Sequence, residues 1–502
     1  MLSRMIHTVR HLKPLQVYGR VYRPKPRLVG SSVAPSLRLS TAPWREMIRR
    51  ESAQLGESHF LFLNQERKIK TWNDENVPKL WLYNLHYFAA PNRQLIDRWV
   101  AENPVGEGNG WEPYPLSLRI VNWIKWHLAG NVLDGAQRNS LADQARYLSQ
   151  SIEYHLLGNH LFVNAKALVF AGTFFAGEEA ERWLNTGLTI LHAQIKEQVL
   201  SDGGHFERSP MYHALVLEDI LDLVNLADAY GNLPQREEWA TCTSRMLCWL
   251  THMTHPDGRV SFFNDSAFGI APELADLNAY AERLGIKTTE VTLGDSGYIR
   301  LANEDTAVVF DAAHIGPDYQ PGHAHADTLS FELSHRGERV LVNSGTSTYE
   351  NNSLRHRQRS TAAHNTATVD GLDSSEVWSA FRVARRARPL DVHTDHRHFA
   401  EAGHSGYQRL TGVVTHRRRL ELEASELKVI DSFEGSGVHD VKLFFHLHPA
   451  SNCNPVLDAQ LRISIEATEW YPEFNASVPN VTMVGSWTGE CPVTFVSHIP
   501  LP

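Results

Sequence analysis

Only four cysteines occur in 502 residues, too few and too unevenly spaced for a disulfide scaffold. Cys242 and Cys248 lie six positions apart on an expected helix and so point to different sides, while Cys453 and Cys491 could meet only across a sheet. No apolar run is long enough to span a bilayer, so no transmembrane segment is expected. The first stretch, Met1 to His11, is basic but lacks the apolar core and small-residue cleavage site of a secretory signal. Cytoplasmic localisation is the expectation, with the periplasm or cell envelope as the alternative. A basic amphipathic surface segment is a second reading of those residues. Excess positive charge is missing too. At a net charge of -9 the chain has no general attraction for nucleic acid, and an anionic ligand would need a locally basic cleft.

The length exceeds one ordinary core and points to two or three domains. Residues 1–75 are rich in Pro and basic side chains, as in Tyr22-Arg23-Pro24-Lys25-Pro26-Arg27, and read as an irregular segment wrapping over the next domain. Residues 76–290 have a helical texture. Leu116 to Ile124 keeps apolar residues at three- and four-residue intervals, as do Leu217, Ile220, Leu221 and Val224, with Gly231 placed as a helix C-cap. Asn159 reads as a helix N-cap. From 291 to 502 short apolar runs alternate with turn signals: Ala307–Phe310, Leu329–Leu333, Val340–Val342, Gly412–Val414, Leu427–Ile430 and Val441–His446, with Arg336-Gly337 as a hairpin turn. This half reads as an antiparallel β-sandwich, giving a multidomain α+β chain.

The densest chemistry is Gly322-His323-Ala324-His325-Ala326-Asp327. On a strand the two imidazoles and the carboxylate would share one face, able to bind a metal or move protons. Three other stretches put polar groups at loop-to-element junctions: Gly158-Asn159-His160, Asp202 to His213, and Gln358 to Thr366. Residues of both halves at such junctions suit a site between domains.

These four stretches, in this order, resemble the heparinase II/III family of polysaccharide lyases, which includes heparinase II, heparinase III and oligoalginate lyases. The resemblance implies an incomplete (α/α) toroid followed by a β-sandwich, with the substrate cleft between them. It implies β-elimination at a uronic acid: removal of the C5 proton and departure of the C4 oxygen, leaving an unsaturated sugar. Asn159 matches the family's carboxylate-neutralising asparagine and His160 could share its role. Tyr212 matches the catalytic tyrosine, as acid, and also as base where both protons lie on one face. His323 matches the catalytic histidine, as base in the other stereochemistry. His325 and His364 match ligands of one structural Zn²⁺, and Asn343 stands where the family has an aspartate. An amide oxygen is the poorer zinc ligand, so the options are a weak site, substitution by Asp327, or a histidine pair without metal. No organic cofactor is implied.

The expected partner is an anionic polysaccharide or oligosaccharide. The local basic runs, Arg355 to Arg359 and Arg382 to Arg388, together with Arg208, offer guanidinium forks for carboxylate or sulfate. Arg208, His213, Arg359, Arg382 and Arg386 are the expected substrate-binding side chains, with Glu207 and Glu376 orienting arginines. Two other functions compete. A glycoside hydrolase of the (α/α) toroid type needs two flanking carboxylates, whereas Tyr, His and Asn outnumber carboxylates in the marked stretches. A non-catalytic glycan-binding protein would keep the cleft without the reaction.

Overall fold

The computed structural model describes residues 2–21, 26 and 33–501. Most of the Pro-rich basic run 22–27 therefore lies outside the described residues. The segment read as irregular carries two short helices, Leu2–Val9 and Pro14–Val21, and a small antiparallel sheet of Gln54–Gly56, His59–Phe62 and Gln65–Lys68. Its intervening stretch runs across the helical part of the chain, with Arg38 N–H bonded to Phe174 O at 2.9 Å and Thr41 N–H to Ala229 O at 2.8 Å.

Helices dominate from Lys79 to Arg283. The periodic stretch at 116–124 lies within Pro113–Leu128, which opens with proline in its first turn, where the missing N–H costs nothing. Pro210–Tyr230 ends at Gly231 in the left-handed region (φ 68°), as the sequence predicted. Helix Gly158–Phe174 is buried on every side from Leu161 onward, the mark of a central helix. It crosses Glu178–Gln198 so closely that a Cβ on Gly172 would lie 2.4 Å from the Leu184 nitrogen. Trp81, Trp99, Trp111 and Trp123 fill the core between the first helices. A fully buried large side chain there contributes about 1.5–3 kcal/mol.

From Tyr298 onward the chain is sheet-rich. Strands Tyr298–Ala302, Thr306–Asp311, Phe331–His335 and Glu338–Leu341 pair in sequence order within an eleven-stranded antiparallel sheet. Arg336 (φ 48°) and Gly337 (φ 86°) make the predicted hairpin turn, both central residues having positive φ. The two runs at 427–430 and 441–446 belong to one long strand, Glu426–Leu447, paired with Val478–Pro500. Gly412 and Val413 do not form a strand. Both have positive φ, and pairing starts at Thr415.

The strand expected through His323 and Asp327 is absent, and residues 322–327 form a loop. The loop is fixed at both ends by the segment C-terminal to helix Arg236–His252. Asp265 N–H bonds His323 O at 2.9 Å, and Asn264 N–H bonds Asp327 Oδ2 at 2.9 Å. That segment holds the two structural types together, because His255 Nε2 also pairs with buried Glu332 on strand Phe331–His335 at 2.8 Å.

Candidate active site

Ser209 caps helix Pro210–Tyr230, its hydroxyl accepting from Tyr212 N–H at 3.1 Å and donating to Asp265 O at 2.6 Å. This cap ties the helix start to the 322–327 loop and brings Tyr212 onto His323. The two rings stack with centroids 3.8 Å apart and planes 14° from parallel. The Tyr212 hydroxyl lies 3.0 Å from that of Tyr349. Burial holds the Tyr212 phenol protonated far above its ordinary range, and Tyr349, Tyr114 and Asp265 add to the effect.

His323 is oriented from behind. Its Nδ1 lies 2.5 Å from Glu207 Oε2, a carboxylate buried beneath the cavity wall. Burial pushes the Glu207 carboxyl up, but the charge and hydrogen bond of His323 outweigh it, helped by His205 and the Asn159 backbone N–H. The group is held below the usual carboxylate range. With Nδ1 turned to Glu207, Nε2 is the ring nitrogen left for the cavity.

Tyr212, His323, Asn159 and His160 all line one cavity of about 990 Å³, so all four expected catalytic side chains come together. Asn159 is not a helix cap. Helix Gly158–Phe174 is preceded by Leu157 (φ 63°), and Asn159 sits in its first turn. Its side-chain oxygen, an acceptor, is buried with no hydrogen-bond partner among the described residues, as in a group that a ligand hydroxyl would satisfy. His160 Nδ1 pairs with Glu153 Oε2 at 3.1 Å, and its ring packs on Tyr114 at 4.6 Å. Burial disfavours its protonation, but the Glu153 carboxylate prevails and raises its pKa.

The expected substrate-binding side chains do not line this cavity. Buried Arg359 donates to the carbonyls of Ala324 and Ser379, clamping the histidine loop. Arg208 reaches Ser296 O at 2.9 Å, and Arg386 is bound to Asp318 at 2.6 Å. His213 is fully buried between Met246 O and His205 N–H. Arg382 lies over the Trp378 ring at 4.9 Å. Each had the right chemistry, but each guanidinium or imidazole is engaged elsewhere. Glu376 does pair with an arginine, Arg385. The cavity is lined instead by aromatic and amide groups, Tyr83, Tyr87, Tyr114, Asn84, Asn122 and Phe381 among them. Tyr349 went unrecognised because it lies in a loop without periodicity. Glu207 was marked for arginines but serves His323. Its position within the Tyr212 stretch was the available signal.

His325 and His364 form a second, buried cluster behind the loop. The carboxylate that joins them is Asp327, and one ligand atom from each of the three lies within 4.8 Å of the others. Asn343 stands outside this His/Asp/His group. Its Nδ2 donates to Phe262 O at 2.9 Å and its Oδ1 accepts from Asn365 N–H at 3.1 Å, which leaves the amide oxygen one lone pair. His325 Nε2–H donates to Asp265 at 2.9 Å, and His364 Nδ1–H to Ser360 O at 2.8 Å. Those bonds leave His325 Nδ1 and His364 Nε2 facing each other at 3.1 Å with lone pairs only. Two such nitrogens need a cation between them. Tetrahedral zinc with bonds of about 2.0–2.1 Å would space them about 3.3 Å apart. Burial lowers both histidines to about 4 and pushes the Asp327 carboxyl up. The two neutral imidazoles are in the state that ligates a metal, and a bound cation would have to draw the Asp327 carboxyl back down.

Comparison with known proteins agrees with this architecture. Residues 64–282 match the family model described as Heparinase II/III N-terminus, and residues 287–477 match Heparinase II/III-like, C-terminal. A heparin-sulfate lyase of Bacteroides stercoris is 28% identical over 260 residues, 46% of this chain and 38% of that protein. FtsZ-localized protein C of Caulobacter vibrioides is 26% identical over 401 residues, 73% of this chain and 67% of that protein. The matches span 38% to 51% of the heparin-sulfate lyases, so the chain covers about half the length of those relatives or less. Among solved structures, heparinase III superposes with a TM-score of 0.67 at 19% identity, covering 84% of this chain and 76% of that one, which shows a shared fold. With models for both parts matched in order over most of its length, the chain belongs to the heparinase II/III family.

Proposed function

We propose that the protein is a polysaccharide lyase that cleaves a uronate-containing glycan by β-elimination. The observation that carries this reading is the Tyr212–His323 stack, backed by Glu207 and sharing one cavity with Asn159. His323 Nε2 takes the C5 proton, and the C5–H electrons form the C4–C5 double bond. The C4–O bond breaks, and Tyr212 gives its proton to the departing oxygen. Asn159 and His160 donate to the substrate carboxylate as charge develops on it. After release, His323 returns a proton toward Tyr212 through their shared side of the cavity. The heparin-sulfate lyase names of three relatives support this class.

Hydrolysis is disfavoured because the three cavity carboxylates on helix Pro210–Tyr230 are occupied, while Glu51 and Glu350 of the lining are exposed. Glu218 holds Arg50 at 2.5 Å, and Asp219 and Asp222 hold Lys166 and Lys125 at 2.7 and 2.8 Å. The same pairs occupy the lining's cations, Lys79 being taken by Glu112 at 2.9 Å. A densely sulfated chain would find no spare cation in that lining, so the preferred glycan carries sparse charge and stacks its sugar faces on the tyrosines. A second reading is a glycan-binding protein that kept the cleft, since one relative matched over more of its length than the lyases carries a name that is not an enzyme's.

The helical part is read as an incomplete (α/α) toroid over 76–290 and the sheet-rich part as a β-sandwich over 291–502, with residues 1–75 packed on the former. Zinc is the ion proposed for His325, Asp327 and His364, where it would brace the 322–327 loop. Cytoplasmic action on an oligosaccharide or assembly product is the proposed setting. Incubation with a panel of sulfated and unsulfated uronate glycans should generate the ultraviolet absorbance of a conjugated unsaturated uronate, faster on the unsulfated members, and Tyr212→Phe should abolish it. Glycan binding without product in the wild type would favour the second reading.

A further inference from the structure

The basic run Arg382–Arg388 bears on a different surface. Thr8 Oγ1, on helix Leu2–Val9, donates to Val383 O at 3.3 Å and accepts from Trp378 Nε1 at 3.1 Å. Arg385 Nη2 donates to Ser3 Oγ at 2.9 Å, and Arg4 lies 3.8 Å from Glu376. The helix is thus docked by its polar side. Its apolar stripe faces away from the protein, with Met5, Ile6 and Val9 46%, 58% and 52% exposed. A helix that stabilises a core has the opposite orientation. Helix Pro14–Val21 repeats the arrangement. Gln16 is buried, its Nε2 donating to Tyr319 O at 3.1 Å, while Leu15, Val17 and Val21 are exposed. Charge is equally one-sided: the first 45 residues hold nine Lys and Arg and no Asp or Glu, in a chain of net charge -9. Arg382 and Arg388 stay exposed beside the first helix's bed.

We propose that this N-terminal helical pair docks the protein on an anionic membrane surface, its apolar stripe entering the boundary between headgroups and acyl chains while the surrounding cations hold anionic lipid headgroups. Exposed apolar residues with Arg10 and Arg20 beside them, on a segment whose own sequence carries no acid, have the composition of interfacial helices, with Arg4 and Lys13 held by Glu376 and Glu197 of the body. A stable protein partner needs about 1,600 Å² of complementary surface, far more than a two-turn stripe provides, whereas a bilayer needs only apolar burial and negative charge. This proposal does not depend on the lyase reading, since neither helix contributes to the cavity lining.

The test is co-sedimentation of the full chain with vesicles of phosphatidylcholine alone, or of phosphatidylcholine and phosphatidylglycerol at roughly three to one. Binding at least about ten-fold stronger to the anionic vesicles, and weakened by salt, is expected. The double variant Ile6→Glu/Val9→Glu should lose it at least about ten-fold while its thermal melting is unchanged. Arg10→Gln and Arg20→Gln, which leave the apolar stripe intact, should each weaken it by roughly five-fold. Absence of sedimentation with anionic vesicles, or binding indifferent to all of these variants, would overturn the proposal. So would a dimer in solution that Ile6→Glu/Val9→Glu dissociates, because a second copy would then be the stripe's occupant.

Discussion

Replacing Glu207 by Gln separates positioning from binding. The carboxylate touches His323 Nδ1 at 2.5 Å but does not line the cavity, so the substrate never meets it. In the reaction its charge stabilises the imidazolium that forms when His323 takes the proton, and it fixes the tautomer that presents Nε2. A hydrogen bond to a charged group contributes about 1.5–3 kcal/mol, against about 1 kcal/mol for a neutral pair. Glu207→Gln keeps the shape and removes the charge. The difference, about 0.5–2 kcal/mol, should therefore lower kcat by roughly two- to 30-fold while KM stays within about two-fold. The assay is the initial rate of ultraviolet absorbance across substrate concentrations, with thermal melting as the control for folding. Unchanged kcat in a folded variant would refute the assignment of His323 as base. A raised KM at constant kcat would place Glu207 in substrate binding instead.

Tyr349→Phe removes the hydroxyl 3.0 Å from that of Tyr212 and should lower kcat by about five-fold, the worth of one neutral hydrogen bond, as read by the same assay. His325→Ala should abolish metal in the purified protein and lower its melting temperature, and elemental analysis with calorimetry reads both. A fully active wild type free of metal would rule out the zinc assignment. In the sheet, burial alone would raise the Asp431 carboxyl, but Arg418 and His416 hold it at about 2. Because its folded pKa lies below the unfolded value of about 3.9, this stabilisation, on the order of 2 kcal/mol, is fully present above that value and lost as pH falls through about 2. Asp431→Asn should lose that acid-dependent component and, by leaving the buried Arg418 guanidinium unpaired, cost about 3–5 kcal/mol at neutral pH in denaturant unfolding.

What the sequence disclosed depends on how local each signal is. Gly231 and the pair Arg336-Gly337 were legible because positive φ is a property of one or two residues. That Asn159, His160, Tyr212 and His323 share one cavity was legible because the family's motifs keep them at fixed places beside recognisable neighbours. Asn159 was misread as a cap, since a cap and a buried amide in the first helical turn look alike without the packing around them. The alternation at 323–327 suggested a strand, but the backbone is held as a loop by Asn264 and Asp265, some sixty residues earlier in sequence. The arginines show the limit most clearly. Composition gives the guanidinium but not its partner, and Arg359 and Arg386 found a carbonyl cage and Asp318 rather than a ligand. Asn343 likewise has its amide bonded to Phe262 O and Asn365 N–H, distant in sequence, while Asp327 is the carboxylate beside the two histidines.

Digestion of a uronate glycan in heavy-oxygen water, with the products weighed by mass spectrometry, decides between elimination and hydrolysis in a single measurement. Elimination by Tyr212 and His323 predicts product pairs in which the new non-reducing end is one water lighter and absorbs in the ultraviolet. Neither new end then carries heavy oxygen from bond cleavage. Cleavage that incorporates solvent oxygen and yields saturated ends would contradict elimination and make the protein a hydrolase.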